Sequence, residues 1–194
     1  VTYDTDHGVG VALIGVIAAL DPAIEPYRYR LEAQAFATFM KVDGQQEVTF
    51  QEHYINIDIP GLMADRFRMI TSLQYNRQSN AGYFGIGNNT EVEANSGERT
   101  YSYEHTYPAV LVDGIWTGFD WLDLFGGLSL SDHRINQYPD TRLADDLSDG
   151  TGGLYGLKPH RRAQIQAGIM HDTRDHETWA SKGGFHEVSG RGGL

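Results

Sequence analysis

Apolar and polar side chains alternate one by one from Tyr27 to Phe39, the pattern of a strand with two different faces. One face is aromatic or aliphatic throughout: Tyr27, Tyr29, Leu31, Ala33, Ala35, Ala37 and Phe39. The other face begins with four charged or amide side chains and ends with Phe36 and Thr38; the four are Arg28, Arg30, Glu32 and Gln34. This segment predicts a long strand with one apolar and one polar face.

Similar alternation recurs in five further segments, 48–59, 67–76, 100–112, 124–133 and 162–170, which are separated by turns rich in Gly, Asp or Pro. Residues 1–3 end a strand, 9–20 form an apolar strand containing Gly10 and Gly15, and Phe185 begins a last one. The prediction is an all-β chain, an antiparallel meander of about nine strands in one domain over residues 1–194.

The assignment of faces follows the same alternation. In the segment 162–170, one face is apolar and the other carries Gln164 and Gln166. In the segment 100–112, the prediction places the odd-numbered side chains on the apolar face: Tyr101, Tyr103, His105, Tyr107, Ala109 and Leu111. The connection 134–159 shows no periodicity and is predicted to be a loop.

The order of side chains on the apolar face of 27–39 is typical of a transmembrane barrel. Aromatic residues stand at both ends, with leucine and alanine between them, as on an outward face that meets two membrane interfaces. Arg28, Arg30, Glu32, Gln34, Gln164 and Gln166 are then predicted to face the lumen. A soluble barrel would have the opposite orientation, and this strand alone fits both.

Composition narrows the class of partner. The formal net charge of -11 argues against binding to a nucleic-acid backbone. There is no cysteine, hence no disulfide and no thiolate site for a metal. No apolar run reaches the ~18 residues of a transmembrane helix, so the chain would cross a membrane only as a closed barrel.

A charged hairpin follows the segment 162–170. The strand ends in Asp172-Thr173-Arg174-Asp175, and a polar turn leads through Lys182-Gly183-Gly184 to Phe185. A metal site is one alternative interpretation, with ligands among His171, Asp172, Asp175, His176 and Glu177, although an extended strand directs alternate side chains to opposite faces. The other alternative interpretation is a solvated charged turn in which Arg174 pairs with a carboxylate.

A glycine-rich segment, 82–90, has the sequence Gly-Tyr-Phe-Gly-Ile-Gly-Asn-Asn-Thr. A phosphate-binding loop is disfavoured because no helical pattern and no Lys-Ser or Lys-Thr pair follows. The segment is similar to the Phe-Tyr-Gly-Ile-Gly-Asn-x-Thr sequence of the bacterial surface antigen superfamily, the outer-membrane barrels of the BamA/TamA type.

The charged hairpin resembles a hairpin of the same superfamily, in which Asp-Thr-Arg-Asp and Pro-x-x-Gly lie between two strands. Ala180 stands where the proline is usual. The entry residues Tyr3, Asp6 and Gly8 fit its Tyr-x-x-Asp-x-Gly hairpin. The resemblance implies structural roles for seven residues: Asp172, Arg174, Asp175, Gly183, Gly85, Gly87 and Asn88. It implies no cofactor, metal or catalytic residue.

The resemblance also implies a location and a function. The chain would be the first part of a sixteen-stranded barrel in the bacterial outer membrane, because the lid-loop Val-Arg-Gly-Phe motif and the last-strand signature are absent. Its partners would be membrane lipids, the remaining part of the barrel or a partner chain that completes it, and envelope proteins as clients for insertion or translocation. A pore or ligand-holding barrel, or the membrane anchor of a fused secreted enzyme, is the alternative. No Gly-x-Ser-x-Gly elbow or paired carboxylates indicate an enzyme.

Overall fold

The fold is one antiparallel sheet of nine strands in sequence order. The computed structural model describes residues 1–22, 24–87, 90, 92, 97, 99–119, 121–148, 157–175 and 179–193, with only the backbone at 24 and 25. The strands are β1 (Thr2–Asp4), β2 (Gly8–Asp21), β3 (Ile24–Val42), β4 (Gln45–Gly61), β5 (Phe67–Gly82), β6 (Ser102–Phe119), β7 (Leu122–Gln137), β8 (His160–Asp172) and β9 (Phe185–Gly193). The predicted all-β antiparallel meander is therefore confirmed.

Most strands are longer than predicted. The connection between the predicted segments 100–112 and 124–133 is much tighter than expected, since β6 continues to Phe119 and β7 begins at Leu122. Two short helical segments interrupt the strands: α1 (Leu62–Asp65) and α2 (Arg142–Ser148). Met63, Ala64 and Asp65 have positive φ, so α1 is a left-handed turn between β4 and β5. Neither helical segment in the described part of the chain is long and apolar enough to cross a membrane.

The connections divide between the two ends of the sheet. At one end lie the connections β2–β3, β4–β5, β6–β7 and β8–β9; we call it the hairpin end because it carries the β8–β9 hairpin. At the other end lie β1–β2, β3–β4 and the two long connections β5–β6 and β7–β8, the second of which contains α2. We call this the helix end. Antiparallel pairing of successive strands makes this division necessary.

One face of the sheet is apolar and exposed across β2 to β9. Residues directly opposite in an antiparallel pair share a face. One row of register partners runs Gly15, Ala33, Ile55, Leu73, Val110, Leu130 and Ala163. Large side chains of this face stay in contact with solvent, including Leu13 at 77%, Ile17 at 65% and Val188 at 70% relative exposure.

The register corrects the face predicted for β6. Ala109 pairs with Gln74 and Val110 with Leu73, so Ala109 and Leu111 lie on the polar face and Val110 and Val112 on the apolar face. Tyr103, His105 and Tyr107 consequently also stand on the polar face. The β5–β6 register shifts between Gln78 and Ala81, and such an irregularity depends on two strands together.

Apart from Pro60, the buried residues of the described chain gather at the helix end rather than between the two faces. Leu143 of α2 is 2% exposed, and Thr141 and Thr49 are 1% and 0% exposed. Thr141 Oγ1 accepts a hydrogen bond of 3.3 Å from Ala144 N, the arrangement of a helix N-cap. The connection 134–159, predicted to lack regular structure, thus contains α2, which helps to bury this small core.

The sheet is open. β1 and β9 are its edges, and β1 covers β2 only from Gly8 to Gly10. Among the described residues, β2 beyond Gly10 is paired on its β3 side alone. Within this stretch, Val11–Leu20 is apolar on both faces, with Ile14 and Val16 more than half exposed on the polar side.

Candidate functional site: the charged hairpin and the polar face

Arg174 and Asp172 form a two-pronged ion pair at the end of β8. Arg174 Nε lies 2.9 Å from Asp172 Oδ1, and its Nη2 lies 2.7 Å from Oδ2. The Arg174 backbone N–H donates to the same Oδ1 at 3.0 Å, and the guanidinium lies 4.8 Å from the centre of the Phe185 ring. A planar guanidinium suits such a fork, which here orders the start of the hairpin.

Asp175 anchors the far side of the turn. Its carboxylate accepts hydrogen bonds from Ser181 Oγ at 2.5 Å, Ser181 N at 2.8 Å and Lys182 N at 3.1 Å. These bonds, first that of the Ser181 hydroxyl and then that of the Lys182 amide, lower the Asp175 pKa to about 2 because they stabilise the charged form. The carboxylate therefore acts as a structural anchor of the turn.

Gly183 closes the hairpin where a side chain does not fit. Its φ is +89°, and a Cβ there would lie 2.0 Å from the Thr173 carbonyl oxygen. The close approach of Gly183 to Thr173 lets Thr173 N donate a hydrogen bond to Gly184 O at 3.0 Å, while Gly184 N donates one to Thr173 Oγ1 at 3.0 Å. His176 and Glu177 of the alternative metal interpretation lie outside the described residues.

The glycine-rich segment lies at the other end of the sheet from the charged hairpin. Gly85 and Gly87 have positive φ, and Phe84 stacks on Tyr101 with ring centres 5.3 Å apart. Tyr83 donates from its hydroxyl to Asp146 of α2 at 2.8 Å; partial burial and this carboxylate raise the Tyr83 pKa. The segment thus joins the strands to α2, while Asn88 lies outside the described residues.

The predicted polar side chains of β3 do share one face. Arg30 pairs with Glu32, which also accepts a hydrogen bond of 2.7 Å from the Tyr54 hydroxyl. Gln34 Nε2 donates to Glu52 Oε1 at 3.0 Å. Arg28 has the same parity as Arg30. The Tyr54–Glu32 and Gln34–Glu52 contacts cross from β3 to β4, and the Arg30–Glu32 ion pair lies within β3, so these charged groups have partners on the polar face.

A second cluster on this face contains two residues that the sequence did not single out, Asp58 and Arg68. Arg68 Nε and Nη2 lie 2.9 and 2.6 Å from the two Asp58 carboxylate oxygens. The Tyr27 hydroxyl donates to Asp58 Oδ2 at 2.6 Å. Tyr27 was predicted to lie on the apolar face, but its hydroxyl reaches a carboxylate of the polar face.

Gln166 takes part in a third cluster on the same face. Its Nε2 donates to Asp113 Oδ1 at 2.6 Å, and its Oε1 accepts from Arg191 Nη2 at 2.9 Å. Asp113 lies over Gly127, where a Cβ would be 1.9 Å from Asp113 Oδ1. Gln164 stands one row nearer the helix end, opposite Ser129. Arginine, carboxylate and amide groups thus satisfy one another from β6 to β9.

The arrangement is a continuous polar surface that carries three clusters of paired charged and amide groups, opposite a continuous apolar surface. Among the described side chains, no group of three or more His, Cys, Asp or Glu residues is arranged to hold a metal ion. Comparisons with protein-family models, with curated proteins and with solved structures found no match to this chain.

Proposed function

We propose that the chain forms part of an outer-membrane β-barrel, with its apolar face against lipid and its polar face toward the lumen. The observation that carries this proposal is the exposed apolar face that continues from β2 to β9. Monomeric soluble proteins rarely expose apolar patches of more than a few hundred Å². A soluble sheet would cover such a face with a second layer, and the described elements supply none.

The height of the apolar face fits a bilayer. On β3 it runs from Tyr29 to Phe39, which is about 33 Å along the strand at about 3.3 Å per residue. A strand tilted by about 45° would then span about 23 Å of membrane, close to the apolar band of about 25 Å on outer-membrane barrels. Trp116, Phe119 and Tyr29 near the hairpin end would supply an aromatic girdle.

The polar face supports the same orientation. Its ion pairs and amide contacts satisfy charged groups that would be costly against lipid, and a water-filled lumen would satisfy those that remain. Among the described residues, the ion pairs on the apolar side of the sheet, Arg77–Glu104 and Arg134–Asp132, lie on the helix-end side of its aliphatic middle row. The two faces therefore fit two different solvents.

The open edges support a role beyond a static wall. Backbone N–H and C=O groups along the outer side of Val11–Asp21 need partners in a membrane, so further strands of the barrel or a partner chain would pair there. This edge of β2 could also accept a strand from a client envelope protein by β-augmentation. We therefore propose insertion or translocation of envelope proteins as the activity of the complete barrel.

The orientation is tested by cysteine labelling in bilayers, where the absence of native cysteine gives a clean background. Ala33→Cys and Gln34→Cys are neighbours on opposite faces and serve as matched variants. A membrane-impermeant thiol reagent should modify Gln34→Cys rapidly and Ala33→Cys slowly. Equal rates, or the reverse order, would contradict the proposed orientation.

The activity is tested separately with the complete barrel in proteoliposomes and an unfolded outer-membrane protein as client. Acceleration of client folding over empty liposomes, with a client strand crosslinked to β2, would support insertion. The paired polar face also fits a second candidate, a transport barrel with an aqueous lumen. Solute flux through the liposomes without any effect on client folding would favour that candidate.

A further inference from the structure

Three histidines stand side by side on the polar face at the helix end. They are His105 of β6, His133 of β7 and His160 of β8, and His133 and His160 are register partners. The His133 and His160 rings stack with centres 5.2 Å apart, and the His105 and His133 rings lie 5.3 Å apart. Tyr107 extends the row, with its ring 5.4 Å from that of His133.

Two nitrogens of this row converge. His105 Nε2 lies 3.0 Å from His133 Nδ1. An ion about 2.05 Å from each of two nitrogens at this separation would subtend an N–metal–N angle of about 94°. Neighbouring ligands of a tetragonal or octahedral ion meet at close to this angle, whereas a tetrahedral ion requires a wider one.

We propose that His105 Nε2 and His133 Nδ1 form a two-nitrogen chelate for Cu²⁺ or Ni²⁺, with water in the remaining coordination positions. Neutral imidazole is a good ligand for both ions, and Cu²⁺ binds most tightly in the divalent series. The site is independent of the orientation of the sheet in a membrane, because it needs only the pairing of β6 with β7.

The surroundings fit the protonation state that a chelate needs. Without metal, one N–H must lie between the two nitrogens to make their hydrogen bond. With metal, both facing nitrogens carry lone pairs, so His105 keeps its proton on Nδ1 and His133 keeps its proton on Nε2. His133 Nε2 lies 2.9 Å from Ser131 Oγ, and this hydroxyl oxygen can accept a hydrogen bond from the Nε2–H and so orient the ligand.

The third histidine stays outside the first coordination sphere in this arrangement. His160 Nδ1 donates to the Lys158 carbonyl oxygen at 3.0 Å, and its ring stacks parallel to His133 at 8° instead of converging with it. Arg162, the register partner of Ser131, adds positive charge beside the row. The chelate should therefore be one of moderate affinity with two protein nitrogens.

The test is titration of the purified, folded chain in detergent with Cu²⁺ alone at pH 7.5, followed by electron paramagnetic resonance. We expect one Cu²⁺ bound with moderate affinity, with hyperfine structure from two imidazole nitrogens. His105→Ala and His133→Gln should each weaken binding by at least about tenfold, and Ser131→Ala should weaken it by about tenfold through loss of the orienting contact. Binding should weaken at acidic pH, because a protonated imidazole has no lone pair to offer the ion.

Two controls separate this site from other histidines. His53 stacks on Tyr75 on the apolar face, and His171 stands 6.4 Å from His186 at the hairpin end. His53→Ala and His171→Ala should leave the affinity for Cu²⁺ unchanged. Wild-type affinity in His133→Gln, or loss of binding in His171→Ala instead, would overturn the proposal. Circular dichroism of every variant shows whether the sheet is intact, and Ser131→Ala keeps the test decisive if a histidine variant does not fold.

Discussion

Leu73 of β5 and Val110 of β6 lie directly opposite each other on the apolar face, in the row that also holds Ile55 and Leu130. Their pairing determines which half of the β6 side chains lies on the apolar face of the sheet. It assigns Val110 to that side and its neighbour Ala109 to the polar side, beside Gln74.

Arginine substitutions in β6 test this assignment in a bilayer. In the proposed orientation, Val110→Arg should destabilise the folded barrel by about 2–4 kcal/mol, because it would place a charge near the middle of the lipid-facing band. Ala109→Arg, the matched control, should be nearly neutral because the proposed lumen is hydrated. Reversible urea unfolding in lipid vesicles measures both changes. Equal costs would show that the two positions do not face different solvents.

Arg174→Lys should loosen the charged hairpin even though the charge is kept. Lysine cannot reproduce the two parallel bonds to Asp172, so we expect a loss of about 1 kcal/mol and faster exchange of the Thr173 amide proton. Arg174→Ala should lose at least as much. Hydrogen exchange and heat-modifiable gel mobility of the complete barrel measure the effect. If both variants fold normally yet abolish a chemical activity, the structural role fails.

Acid should release the Asp175 anchor within a defined pH window. The folded-state pKa of about 2 lies below the ordinary value of 3.8, so the unfolded turn binds a proton more readily than the folded turn. The stabilisation is complete above about pH 4 and is lost as the pH falls toward 2. The amide resonances of Ser181 and Lys182 should shift in this window, and they should not do so in Asp175→Asn.

Gly183→Ala should disrupt the turn, whereas Gly184→Ala should be tolerated. Alanine at 183 would require a positive φ and would bring Cβ within 2.0 Å of the Thr173 carbonyl, so we expect a loss of more than about 1 kcal/mol. At 184 the nearest atom to a new Cβ is His186 Nε2 at 3.5 Å, an ordinary contact. Limited proteolysis of the β8–β9 hairpin compares the two variants, and similar cleavage rates would contradict the expectation.

The sequence by itself determined the strands and most of their faces. In the segments 27–39 and 162–170, the alternation of apolar and polar residues, broken in the first by Phe36, separates an apolar from a polar face, and the register pairs Ala33 with Ile55 and Gln34 with Tyr54 on those two faces. Short-range chemistry also predicted the hairpin, because Asp, Gly and Ser form turns through contacts a few residues apart.

The tertiary structure decided what depends on contacts between distant segments. Both parities of β6 contain large apolar side chains, so only its register with β5 could select the face. The Thr141 N-cap is a local signal for α2 that the loop interpretation overlooked, but the burial of Leu143 requires the whole helix end. His105 and His133 are likewise joined by strand pairing. Spacing along the chain defines which side chains can share a face, whereas the register of two strands defines which of them meet.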